Sequence, residues 1–195
     1  MRMCSIASGS SGNCIYIGDE DTHILIDAGI SRKAIETGLK ELELSGNDLD
    51  GIFITHEHSD HVKGLGVMAR KYHIPMYGTK ETIEAVKAIS SLGNIGEELF
   101  HPVAAEEELQ LKTLTVKPFK VSHDGANPVA YRVESGEKKA AVATDLGIYN
   151  DYTIDHLKGL DVILLEANHD IRMLQTSRYP YSLKQRILGK YGHLC

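Results

Sequence analysis

The chain has 195 residues, is 42% hydrophobic and 25% charged, and carries a formal net charge of −6. That length suits one domain with a substantial core, and the composition is that of an ordinary globular protein. It excludes a membrane-spanning helix and a simple basic sheath for nucleic acid, and no basic-then-apolar signal peptide opens the chain. The three cysteines, Cys4, Cys14 and Cys195, are odd in number and lack metal-type spacing, which excludes a disulfide framework and points to the cytoplasm.

Met1 to Ala7 and Cys14 to Ile17 read as two short strands, with Cys4 and Cys14 as small buried residues on them. Between them, Ser8-Gly9-Ser10-Ser11-Gly12-Asn13 is either a flexible turn or a loop of N–H and hydroxyl groups able to hold a phosphate oxygen. His23 to Ile26 is a third strand, and Asp27 follows it at the rim of the sheet. Ser31 caps a helix to about Leu42, with Ala34, Ile35, Leu39 and Leu42 on one face.

Gly51 to Ile54 is a short buried strand that runs into His56-Glu57-His58-Ser59-Asp60-His61. One helix then follows through Val62, Leu65 and Met68 to about Tyr72. A strand is expected at Ile74 to Tyr77, and a helix capped by Thr79 through Ile83, Val86 and Ile89. Segments 97–101 and 107–111 are weakly defined. Further strands are expected at Thr113 to Val116, Ala130 to Val133 and Ala140 to Ala143, and a short helix at Asp151 to Leu157. Asp161 to Leu165 reads as a fully buried strand, and Ser182 to Lys190 as a last helix. Hairpins first and strand–helix alternation later give a pair of mixed sheets with helices outside, an α/β arrangement in a single domain over residues 1–195.

The chemistry is concentrated at 56–61. Three imidazoles and a carboxylate within six residues are a ligand set for zinc or manganese, with iron also compatible, rather than calcium. Crowded together without a cation, these groups would desolvate and repel one another. One loop cannot complete two coordination shells, and two later strand ends supply more. His123 follows Val121-Ser122, and Asp145 follows Ala143-Thr144. We expect His56, His58 and His123 on one metal and Asp60 and His61 on the other. Asp145 lies between the two, because a carboxylate can bridge with its two oxygens. His23, His73, His101 and His156 have no second ligand nearby and read as structural. His169 follows Glu166 and reads equally as support for a metal ligand or as a satisfied core residue.

Thr55-His56-x-His58-x-Asp60-His61, then His123, then Asp145, each at a strand end, resembles the metallo-β-lactamase superfamily. The resemblance implies an αββα sandwich with a two-metal site on its rim. More specific stretches are the opening Ala-Ser-Gly-Ser-Ser-Gly-Asn, Ile26-Asp27-Ala28-Gly29, Glu166-Ala167-Asn168-His169-Asp170, and the run from Tyr179 to Leu194. They resemble the YycJ/WalJ-like bacterial branch, which implies a nuclease of the exonuclease type with DNA as substrate. That branch continues past Gly-His-Leu to a further histidine ligand. The resemblance therefore implies that a last strand, its covering helix and a seventh ligand lie beyond Cys195, and that the second metal would be weakly held and an exposed sheet edge could self-associate.

On this reading two cations lower the pKa of a shared water, and the bridging hydroxide attacks phosphorus while Asp60 orients it. By resemblance to related tRNA-processing nucleases, His193 donates a proton to the leaving oxygen. Residues 171–195 hold Arg172, Arg178, Lys184, Arg186 and Lys190 and no acid, so this tyrosine-bearing arm could track a phosphate backbone and stack bases. The competing readings keep the metal site. One makes the chain a hydrolase of a small phosphodiester or thioester, and the other an inactive metal-binding fragment.

Overall fold

The computed structural model describes residues Met1–Cys195. Two sheets lie face to face with helices on both outer faces. The first sheet contains β1 (Arg2–Ala7), β2 (Cys14–Gly18), β3 (His23–Ile26), β4 (Gly51–Phe53), β5 (Met76–Gly78) and β6 (Phe100–Pro102), in that spatial order. Its first three strands pair antiparallel and the rest parallel. The second sheet contains β7 (Leu109–Leu111), β8 (Leu114–Lys120), β9 (Val129–Ser135), β10 (Lys138–Ala143) and β11 (Val162–Leu165), and runs from β11 at one edge to β7 at the other. Only β10 and β11 pair parallel, and the helix α5 (Asp151–Leu157) lies between them in the chain. This is the αββα sandwich expected from the sequence.

Strand periodicity explains the layers. In β2, Ile15 and Ile17 enter a core shared with Ile24, Ile26 and Phe53 on the same sheet and Val116, Tyr131, Val133 and Val142 on the other. Alternate residues Cys14 and Tyr16 face the opposite way, into a second core with helical side chains. A sheet covered on both faces needs continuous apolar runs, and every residue of β2 is buried. Each such aliphatic side chain contributes roughly 1.5–3 kcal/mol by leaving water. The second core takes Ile35 and Leu39 from α1 (Arg32–Glu41), Val62 from α2 (Ser59–Val62), Leu65 and Met68 from α3 (Leu65–Tyr72), and Ile83 and Val86 from α4 (Lys80–Lys87). Ser31 and Thr79 cap α1 and α4 through their side-chain oxygens, as their positions implied. Ala34, expected on the buried face of α1, is exposed. No helix is long and apolar enough to cross a membrane.

Several expectations need correction. The helix after His61 is broken into α2 and α3 at Gly64. The Gly64 N–H bonds Ala28 O at 2.7 Å, and a Cβ at that position would meet Ile30 O at 2.4 Å. The close approach to the loop after β3 therefore interrupts a continuous apolar pattern. Strand β8 runs past Val116 through Pro118 to Lys120. Proline is tolerated there because β7 pairs only with residues Leu114 to Val116, leaving Pro118 without a ladder partner on that side. Strand β11 is not fully buried. It pairs with β10 alone at the sheet edge, and Val162, Ile163 and Leu165 are each at least 40% exposed. An apolar run signals a strand, but periodicity does not say whether both faces are covered. The last helix, α7 (Tyr181–Leu188), is preceded by a separate α6 (Ile171–Thr176), capped by the Asp170 carboxylate accepting from Met173 N–H. Aspartate ahead of an apolar run was its signal.

Candidate metal centre

The site is assembled where strands of both sheets end. Parallel β3 and β4 deliver Asp27 and the 55–61 loop to the same rim, and parallel β10 and β11 deliver Asp145 and Glu166 side by side, Ala143 being paired with Leu165. The loop after β3 packs tightly on the 55–61 turn. Ala28 N–H bonds His61 O at 2.8 Å, and a Cβ on Gly29 would lie 1.6 Å from Asp60 O. Only glycine allows that contact.

Asp27 anchors the turn from below. It is fully buried, with φ at 62°. Its carboxylate accepts from Thr55 N–H and from the Thr55 hydroxyl, both at 2.8 Å, and faces His61 Nδ1 at 2.7 Å. This fixes His61 with Nε2 turned to the rim, where Asp145 Oδ2 lies 2.8 Å away. Asn13, from the serine–glycine loop, places its amide nitrogen 3.0 Å from the same atom.

Hydrogen-bond partners assign the tautomers of the other three histidines. The Thr55 hydroxyl donates to Asp27, so it accepts from His56 Nδ1, 3.0 Å away. His123 Nδ1 donates to Gly192 O at 3.1 Å. His58 Nε2 donates to Asp124 O at 3.2 Å. Each ring is left with one lone-pair nitrogen: His56 Nε2, His123 Nε2 and His58 Nδ1. His56 Nε2 is buried with no hydrogen-bond partner. His123 Nε2 and His58 Nδ1 stand 3.3 Å apart, and one donor atom from each of the three rings falls within 4.8 Å of the others. Lone pairs converging in this way repel unless a cation accepts them, and an Asp124 oxygen 3.3 Å from His123 Nε2 adds negative potential. The residues therefore fit a divalent metal.

Two further groups share members with the first. His56, His61 and Asp145 form one, and His123, Asp145 and His193 the other. Asp145 belongs to both, at the position proposed for a bridging carboxylate. Asp60 stands at the mouth, its Oδ2 3.6 Å from His61 Nε2 and its side chain 30% exposed. The structure thus brings His56, His58, Asp60, His61, His123, Asp145 and His193 together. His169 hydrogen-bonds none of them, and neither ring nitrogen has a partner. His23, His101 and His156 lie in other contacts, His23 with the Tyr16 hydroxyl, His101 stacked on Tyr77 and His156 with Glu106, and His73 is the left-handed C-cap of α3.

Burial holds His56 well below the usual histidine range, with the charge of His61 adding to the effect, and burial also depresses His123. Both are therefore neutral and available as ligands. Burial works against the charge on His61, but Asp27 and Asp145 outweigh it and hold its pKa at about 10. His193 is likewise raised to about 10, by Asp145 and then Glu166. Burial would raise Asp145, yet His193 and His61 keep it far below the carboxylate range. A cation taking His61 must displace a bound proton. We therefore expect zinc titration of metal-free protein at about pH 8 to release protons, and apparent affinity to rise with pH towards about 10. A weakly buffered titration with an indicator dye measures this, and proton-neutral binding would disprove it.

Three residues at the site were given no role by the sequence reading. Glu166 Oε1 lies 2.6 Å from His193 Nδ1, and its Oε2 accepts from Leu146 N–H at 2.7 Å, tying the loops after β10 and β11 together. The contact with Glu166 pins His193. Asp124 Oδ2 accepts from Arg186 Nε at 2.6 Å, joining α7 to the histidine cluster. Thr55 relays Asp27 to His56. A cleft of about 520 Å³ opens over the cluster, lined by Asp60, Asp145, Glu166 and His193 and by Ser8, Gly9 and Ser10. The serine–glycine loop is thus a wall of the site.

Comparison with known proteins gives the same direction. Residues 22–186 match the model of the beta-lactamase superfamily domain. Exodeoxyribonuclease YycJ of Bacillus anthracis is 42% identical over 190 residues, which cover 97% of this chain and 71% of that protein. Exodeoxyribonuclease WalJ of Streptococcus pneumoniae is 39% identical over 189 residues, covering 97% and 70%. Zn(2+)-bound PqqB from Methylobacterium extorquens superposes with a TM-score of 0.71 at 17% identity, covering 92% of this chain and 70% of that one, which shows a shared fold.

Proposed function

The chain belongs to the β-lactamase superfamily, and from that premise we propose that it is a metal-dependent phosphodiesterase that degrades DNA as an exonuclease. The observation that carries the hydrolase reading is the convergence of three lone-pair histidine nitrogens, with buried His56 Nε2 unpartnered, beside Asp145. The DNA-directed part is supported by the likeness to YycJ and WalJ along 97% of the chain.

His56, His58 and His123 would hold one divalent cation, and Asp60 and His61 a second, with Asp145 between them. Zinc or manganese, and iron as well, suit these donors, and such a pair supplies a water ionised near neutral pH and neutralises phosphate charge. Asp60, at the mouth, orients the attacking water. Asp27 and Thr55 hold His61 and His56 in the tautomers that ligation needs. His193 is kept protonated by Asp145 and Glu166 and gives its proton to the leaving sugar oxygen. The serine–glycine wall offers hydroxyl and N–H donors to non-reacting phosphate oxygens.

The basic arm supplies the means of testing DNA binding, with one change from the sequence reading. Lys184 Nζ donates to Gln175 O and Ser177 O, and Arg186 is paired with Asp124, so both serve the fold. Arg172 and Arg178 are exposed. We expect the Arg172→Ala, Arg178→Ala double variant to bind DNA more weakly and to lower the salt slope of binding by about two. Hydrolysis of a small chromogenic phosphodiester should be spared. An unchanged DNA affinity and salt slope would make the arm an ordinary solvated face. Activity on the small diester with none on DNA would replace the nuclease reading with that of a small-molecule hydrolase.

A further inference from the structure

A second cavity, of about 690 Å³, adjoins the metal cleft and shares Ser10, Asn168, Arg186 and His193 with it. It lies between α6 and α7. Met173, Leu174, Leu183 and Ile187 give it an apolar lining, and Tyr179 stands beside them. His169 also lines it, and both nitrogens of that imidazole lack a hydrogen-bond partner. Shielded polar atoms in native structures almost always have partners, so two on one ring point to a group that arrives with a ligand.

A molecule spanning both cavities needs a phosphate ester at one end and a flat, largely apolar body with a hydrogen-bonding edge at the other. A nucleotide has this form. The volume lies in the range of sites that enclose small ligands. Neutral imidazole carries one donor and one acceptor, and base edges display both. We propose that this cavity takes the unpaired nucleobase of the nucleotide next to the scissile phosphate, with His169 as its polar contact. The proposal rests on the DNA-directed reading and refines it. The enzyme would hold a frayed or flipped base at the α6–α7 pocket while His193 and the metal centre address the phosphate. Extracting a base costs unstacking energy, and a fitted pocket returns it. His169, read from the sequence as support for a metal ligand or as a satisfied core residue, becomes a base-binding residue.

The test compares two DNA substrates that differ only in whether the terminal nucleotide is intact or abasic. Metal-loaded protein should cleave the intact end about tenfold more efficiently, the lower range for one stacked base. Leu183→Trp, which fills the cavity, and Tyr179→Ala, which removes a wall, should each bring that ratio close to one. Because the ratio is internal to each protein, a partial folding defect does not imitate the result. Equal cleavage by the unmodified chain, or a ratio that persists in both variants, overturns the proposal. Binding of thymidine 5′-monophosphate and of deoxyribose 5-phosphate to the metal-loaded protein reads the pocket without cleavage. Tighter binding of the nucleotide, lost in Leu183→Trp, supports the pocket even if DNA is not cleaved, an outcome that would defeat the nuclease reading alone. Equal affinities overturn the pocket and leave the nuclease reading standing.

Discussion

Asp145→Ala should abolish phosphodiester hydrolysis, with kcat/KM falling roughly a thousandfold or more. Asp145 belongs to two of the three potential ligand groups, as do His56 and His123, and it is the only carboxylate among them. Its two oxygens lie 2.8 Å from His61 Nε2 and 3.2 Å from His193 Nδ1. Removing it takes away the carboxylate proposed to lie between two cations and also one of the two carboxylates that hold His193 protonated. Metal content should therefore fall, and the acid limb of the pH–rate profile should move together with the basic limb. Asp145→Asn separates the two effects. The amide keeps the shape and one coordinating oxygen but not the charge, so binding of a first metal at His56, His58 and His123 should survive while turnover is lost. Asp60→Ala should also abolish turnover. Asp60 is more exposed and supports less of the surrounding structure, so its effect on stability should be small. Elemental analysis and assay with a chromogenic diester check all three variants. An Asp145→Ala protein with both its metal content and turnover intact would remove Asp145 from the site.

How much of this site was legible follows from the nature of each signal. The 56–61 turn was readable because its ligands are close in sequence, and a strand-to-helix loop compresses them in space. His123 and Asp145 were readable by a weaker rule, since each follows an apolar run that a sheet carries to its rim. Glu166 also follows such a run, but its role depends on β10 and β11 being neighbours in the second sheet. Sequence order does not reveal that pairing. Asp124 adjoins His123 in sequence, yet its meaning comes from Arg186, 62 residues later. The tautomers of His56, His58 and His123 were beyond sequence altogether, because their partners include the backbone carbonyls of Gly192 and Asp124. The same limit explains β11. Its composition gives a strand, while its exposure is a property of what packs against it. Lys184 shows the converse, since composition counts it as a free charge and the fold uses it to satisfy two carbonyl groups.

The second large effect is expected at a residue that touches no substrate. Asp27 is fully buried and meets three donors: Thr55 N–H, the Thr55 hydroxyl and His61 Nδ1. Asp27→Ala leaves all three without an acceptor. Breaking a buried charged pair by deleting one partner costs about 3–5 kcal/mol. The φ of 62° adds to this, because alanine occupies the left-handed region less readily than aspartate or asparagine. Asp27→Asn tolerates that backbone and keeps one acceptor oxygen, so its loss of stability should be smaller. Its second arm is now a donor facing a donor, and the orientation of His61 and the Thr55 relay to His56 are compromised. Metal affinity should fall about 10- to 100-fold, the range for a group that orients a metal-binding histidine. The metal-free proteins should also differ in their pH dependence. Asp27 helps to raise His61 to about 10 in the folded chain, so the stability from that charge is fully present below the unfolded histidine pKa of about 6.5 and is lost as pH rises through about 10. The gap between unmodified and Asp27→Ala chains should therefore be widest near pH 6 and narrow towards pH 10. Urea unfolding at several pH values, with zinc affinity measured by competition with a chelator dye, checks both parts. A gap that widens with rising pH would show that Asp27 does not hold a proton on His61, and unchanged zinc affinity in Asp27→Asn would show that Asp27 does not orient the metal-binding turn.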